Sequence, residues 1–163
     1  MTKPIIPALM LAVVLSACTP SSTETNNCAN AEMIGRFDPA KDLFLAHFDI
    51  KTDTDDLHSA AAVATMLASP GFECVNYRAV SGTYGTQGGN YVDPENIFAD
   101  AFGENWIDAH SDREAAIQDL AAEVAETLSE SGHVWIMEGG QSDVSAHVLF
   151  VALALLPLSL IHI

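Results

Sequence analysis

The chain is poor in positive charge. It has 6 Lys and Arg in 163 residues, against 22 Asp and Glu, for a net charge of −16. Phosphate backbones are gripped by clustered basic side chains, so nucleic acid is excluded as a partner. Docking on an anionic lipid surface by charge is excluded for the same reason. Cysteine is also scarce, at 3 residues, and no His pair stands at ligand spacing beside them, so a zinc site is not indicated. Long disorder is excluded for most of the chain, because 49% of the residues are hydrophobic and can build one core. A mean hydropathy of +0.21 is high for so charged a chain, and two apolar ends account for it.

The first apolar end runs from Ile5 to Leu15 behind a single charge, Lys3, and closes with Leu15-Ser16-Ala17-Cys18. It is too short to cross a bilayer of about 30 Å as a helix but suits the core of an export signal. The small residues before the cysteine resemble the lipobox of bacterial lipoproteins. That resemblance implies cleavage of residues 1–17, a lipid on the sulfur of Cys18 and a membrane attachment through that lipid alone. By the family rule, Thr19 after the cysteine fits the outer membrane, on the periplasmic side. Residues 18–40 begin with a polar run, Thr19 to Asn27, that reads as a tether. Export to an oxidising compartment leaves Cys28 and Cys74 open between a disulfide and two free thiols.

The body, residues 41–150, alternates strand and helix. Leu43 to Phe48 is an apolar run that ends at Asp49, and the pattern predicts a buried strand. A helix is expected over Leu57–Ala68, stopped by Ser69-Pro70-Gly71, and a second strand over Cys74–Val80. A glycine-rich loop, Ser81–Asn90, follows. Ser111 and Glu114 have capping-box spacing ahead of Ile117, Leu120, Ala121, Val124 and Leu128, which recur with helical period. A third strand is expected at Val134–Met137 and a further helix from about Ser142. This alternation predicts an α/β fold of three layers around a parallel, Rossmann-like sheet. Asp49, Ser81–Gly85 and Glu138–Asp143 would then gather at the carboxyl ends of the strands.

Asp49-Ile50-Lys51-Thr52-Asp53-Thr54-Asp55-Asp56 sets four carboxylates in eight residues. Such crowding is unfavourable unless a positive charge sits among them, and a helix start supplies only about half a charge. Oxygen ligands favour calcium, or magnesium. The plain alternative is a set of solvated acids at a helix start. An EF-hand fails, because counting from Asp53 its glycine place holds His58 and its closing glutamate place holds Ala64. The D-x-D-x-T series of aspartate phosphatases fits poorly, since Lys51 stands at the second acid. A strand, then D-x-x-x-D-x-D-D, then a small-residue helix resembles the N-terminal signature of the nucleoside hydrolase superfamily. Val80-Ser81-Gly82-Thr83 resembles the V-A-G-N turn of that family. The run from Val134 through Glu138-Gly139-Gly140 to Ser145 resembles its strand–glycine–helix segment, in the form found in a distant exported branch.

The resemblance implies an enzyme that cleaves the N-glycosidic bond of a nucleoside or related ribosyl compound with a metal-bound water. It implies Asp49, Asp53, Asp56 and the carbonyl of Glu138 around a calcium ion, Asp55 as general base, and Thr83 and Asn90 toward the sugar. A straight register puts Lys51 at an acid ligand position, and a shortened one puts Asp53 there. Two other readings stand beside this one. One is a periplasmic binding lipoprotein of the same fold without chemistry, which Lys51 favours; the other is a phosphatase with Asp49 as nucleophile. Members of the superfamily are considerably longer, and their later half adds an aspartate and a histidine, so the chain reads as the N-terminal half of such a domain, inactive by itself. The second apolar end, Leu149–Ile163, is interrupted by Pro157, and its last residues also resemble translated adaptor sequence. His47, His58, His110 and His133 read as surface or satisfied residues, His58 being the one nearest the acids. Trp106 and Trp135 read as packing residues.

Overall fold

The computed structural model describes residues 28–52, 54–141 and 143–157. The export signal, Cys18, Asp53, Ser142 and the last six residues lie outside them. Four strands, β1 (Leu43–Phe48), β2 (Tyr77–Ser81), β3 (Trp106–Asp108) and β4 (Val134–Glu138), alternate with four helices. The helices are α1 (Asp55–Leu67), α2 (Glu95–Phe102), α3 (Arg113–Ser129) and α4 (Asp143–Leu155). All strand pairs are parallel and the sheet order is β3-β2-β1-β4. The expected α/β architecture is therefore present.

Side chains alternate across β1, as the period of two requires. Leu43 and Leu45 enter a core shared with α3 and α4, where Ile117, Leu120, Ala121, Val124, Val144 and Val148 are buried. Phe44, Ala46 and Phe48 face α1 and α2, with Phe98 and Phe102 packed edge-on and stacked against Phe48. Helices on both faces explain why β1 is apolar along nearly its whole length.

Several expected boundaries move. Residues 74–76 lie outside β2, which starts at Tyr77 and ends at Ser81. The α3 cap is Asp112, whose carboxylate accepts from the Ala115 amide, and not Ser111. Ser111 turns away to donate to Asp108 Oδ2, 2.5 Å distant. The expected elements omit α2 and β3, which are short. Asp93 accepts from the Glu95 amide at the start of α2, and only Phe98 and Phe102 of that helix are buried, a weak periodic signal.

The described part of the tether is fastened to the domain. Cys28 and Cys74 form a disulfide, which resolves the alternative left open above. Ile34 and Phe37 make a small antiparallel bridge, and the Phe37 ring lies 6.3 Å from that of Trp135. Asp42, 1% exposed, accepts hydrogen bonds from the amides of Asp38 and His133, the Trp135 indole and the His133 ring. On α4, Val144, Val148 and Ala152 are buried, while Phe150 is 76% exposed and Leu149, Leu153 and Leu155 are exposed beside it. No helix among the described residues is long and apolar enough to cross a membrane.

Candidate functional site

The sheet order runs outward from β1 to β2 and β3, and then returns to place β4 on the other side of β1. Connections diverge at that point, which opens a crevice beyond the carboxyl ends of β1 and β4. Asp49 follows β1 there, and Glu138-Gly139-Gly140 closes β4.

The acidic loop, the turn at Thr83 and the Gly139-Gly140 turn meet at this crevice. The Gly139 amide donates to the His47 carbonyl at 2.8 Å, Thr83 to Phe48 at 3.1 Å, and Gln141 to Thr83 at 2.8 Å. A Cβ at Gly140 would stand 2.5 Å from Asp49 Cβ and 2.6 Å from the Thr83 carbonyl. Only glycine lets the turn approach the acidic loop so closely. Gly140→Ala is therefore expected to destabilise the protein by about 1–2 kcal/mol in urea unfolding. An unchanged midpoint would show that the turn is free of the loop.

Asp56 is the fixed point of the acidic loop. It is buried, and its Oδ2 accepts from the amides of Asp49 (2.6 Å) and Ile50 (3.2 Å). Burial pushes its carboxyl up, the Ile50 and Asp49 amides pull it down, and the adjacent Asp49 carboxylate pushes it up again, to about 6. Ile50 and Thr52 hold φ of 53° and 71°, a left-handed conformation that costs a β-branched residue about 1–3 kcal/mol. The glycine-rich loop holds them there, with Thr52 donating to the Asn90 carbonyl and Val92 to the Ile50 carbonyl, each at 3.0 Å.

The candidate residues divide as follows. Asp49 and Asp56 adjoin one another, with Thr83 buried close by under the Gly140 turn and its hydroxyl without a partner among the described residues. Asp55 is exposed at the first position of α1, where its Oδ1 accepts from the Asp56 amide at 2.9 Å. Asn90 is exposed and touches the loop through its carbonyl. The Glu138 side chain points away, to Ser145 Oγ and to the ring of the fully buried His47. Burial raises the Glu138 carboxyl, but hydrogen bonds from His47 and Ser145 hold it below its ordinary value. Lys51 also leaves the acids: its Nζ donates to the Gln87 carbonyl at 2.8 Å and sits 3.6 Å from the centre of the Tyr84 ring. Among the described residues no group of three His, Cys, Asp or Glu side chains is placed to hold a metal ion. Asp49 and Asp56 still fit a hard cation in kind, as adjoining carboxylates from which the Lys51 ammonium is turned away.

Sequence reasoning passed over a second set of polar residues on the same edge. Asp108, at the end of β3, accepts from Ser81, Tyr91, the His110 amide and Ser111. Burial raises its carboxyl, and these bonds, led by Ser111, bring it below its ordinary value. The His110 ring stacks on Tyr91 with centroids 3.8 Å apart, and its Nδ1 lies 2.8 Å from the Tyr84 hydroxyl. An open cleft of about 630 Å3 is lined by Tyr84, His110, Arg113, Gln141, Asp143 and His147, among others. The available signal was Trp106-Ile107-Asp108, a strand-like triplet ending in an acid as β1 does. Compared with protein-family models, curated proteins and solved structures, the chain matches none.

Proposed function

We propose that this protein is an exported, lipid-anchored hydrolase that cleaves the N-glycosidic bond of a nucleoside-like compound at the acidic loop. The observation that carries this reading is the packing of the Gly139-Gly140 turn and Thr83 onto Asp49 and Asp56 at the switch point of a parallel sheet. The three segments that resemble one family thus lie against one another. The Cys28–Cys74 disulfide supports an oxidising compartment.

Asp49 and Asp56 would hold a calcium ion, with Asp53 and the Glu138 carbonyl as further ligands. Such an ion, when bound, would supply positive charge at the sugar and at the attacking water. Asp56 is pinned by two amides and keeps its place, while the exposed Asp55 beside it takes the proton from the water as general base. Thr83 and Asn90 would face the sugar. The position of Lys51 over Tyr84 removes the main reason for preferring a metal-free binding protein, because its charge is spent outside the acids.

Calorimetric titration with calcium is expected to show binding that disappears in Asp56→Asn and weakens as the pH falls below about 6, where a proton competes at that carboxyl. Ribose release from nucleosides, measured on the full-length protein, is expected to fall at least ~100-fold in Asp55→Ala. Calcium binding unaffected by Asp56→Asn, or phosphate release abolished by Asp49→Asn, would sink the reading.

A further inference from the structure

The cleft beside the acidic loop differs from the rest of the molecule. Gly140 packs on Asp49, and the next residue, Gln141, already lines the cleft. Its walls come from the segments that follow three strands: Tyr84, Gly85 and Thr86 after β2, Ala109, His110 and the first residue of α3, Arg113, after β3, and Gln141 with Asp143 and His147 of α4 after β4. A volume of about 630 Å3 suits a small-molecule site.

Charge decides what the cleft can hold. The chain as a whole carries −16, yet the described residues that line the cleft include one arginine and one carboxylate, and they are paired: Arg113 Nη2 donates to Asp143 Oδ2. His147 Nδ1 lies 3.4 Å from the same guanidinium nitrogen. An anion would approach against the field of the whole chain and meet a guanidinium already neutralised by Asp143. A cation would find the one lining carboxylate, Asp143, already paired with Arg113. The remaining groups, the Gln141 amide, the Tyr84 hydroxyl and the rings of His110 and His147, each combine donor and acceptor capacity while neutral. The complementary ligand is uncharged and carries donors and acceptors on adjacent atoms. Neighbouring hydroxyls have this property, since one hydroxyl can accept from Arg113 while it donates to Asp143 Oδ2; Asp143 Oδ1 is buried, with no partner among the described residues.

We propose that this cleft binds a neutral, hydroxyl-rich group, a sugar unit, with the Arg113–Asp143 pair as its hydroxyl clamp. Binding at the cleft is independent of the acidic loop. The place of that sugar in catalysis, as a second unit of the substrate of the acidic loop, rests on the proposed hydrolase reading.

The test is calorimetry and saturation-transfer NMR on the full chain in EDTA, with D-ribose, D-glucose, N-acetylglucosamine and inorganic phosphate as probes. At least one sugar is expected to bind in the millimolar range. Arg113→Met should weaken it about tenfold, the loss of one charge-assisted hydrogen bond. Gln141→Ala, which leaves the ion pair intact, should weaken it less, and both variants are checked for an unchanged thermal transition. If Arg113→Met does not fold, Arg113→Lys and Gln141→Ala carry the test. Asp56→Asn should leave sugar binding unaltered, which separates failure of the hydrolase reading from failure of this one. No saturable sugar binding, binding indifferent to both Arg113 and Gln141, or phosphate binding that depends on Arg113 would overturn the proposal.

Discussion

Replacing Asp42 with alanine is expected to destabilise the domain by about 3 kcal/mol in urea unfolding at neutral pH. The carboxylate precedes β1, is 1% exposed, and accepts from four donors: the amides of Asp38 (3.0 Å) and His133 (2.8 Å), the Trp135 indole (2.9 Å) and the His133 ring (3.2 Å). Truncation removes the acceptor of the His133 amide and of the Trp135 indole, two part-buried hydrogen bonds to a charged group, and leaves a cavity where the buried carboxylate stood. The same residue joins β4 to the incoming chain, so its loss also loosens the edge strand. Burial alone would raise its carboxyl, but the Asp38 and His133 amides, the Trp135 indole and the His133 ring more than offset burial and hold it at about 2, below the ordinary 3.8. A carboxyl held below its unfolded value stabilises the fold above the unfolded value, and that contribution disappears as the pH falls through the folded one. Wild type should therefore lose about 2 kcal/mol between roughly pH 4 and pH 2 through this group, and Asp42→Ala should not. Urea midpoints that agree within error at pH 7 would refute the assignment of Asp42 as a hub.

Reduction of the Cys28–Cys74 disulfide, or its removal in a Cys28→Ser/Cys74→Ser double variant, is expected to cost about 2–4 kcal/mol. The bond closes a loop with a sequence separation of 46, and an open chain gains much of that freedom only when unfolded. In a thermal melt this corresponds to a fall of roughly 10 °C. Hydrogen exchange should accelerate first at Ile34 and Phe37, whose two mutual hydrogen bonds lie in the segment that the disulfide closes. Melting unchanged by reductant would mean that the tether is held by packing alone.

The sequence by itself determined the layers. Leu43–Phe48 is apolar on both sides because both sides are covered, and the period of Ile117, Leu120, Ala121 and Val124 assigned α3 to a core. It also placed Asp49 and the glycine turns at strand ends, since a loop between a strand and a helix has one place to go in a parallel sheet. Local chemistry was less secure. Ser111 had the spacing of a cap, but Asp112 stands nearer the first amides and Asp108 offers Ser111 a stronger acceptor. Only the tertiary structure decided that β4 lies beside β1, which brings Gly140 against Asp49, and that Lys51 crosses to Tyr84 and leaves the acids to each other. The pairing of Arg113 with Asp143 was equally hidden. Strand order and contacts between residues thirty or more apart depend on which surfaces bury best together, and no short window of sequence contains that comparison.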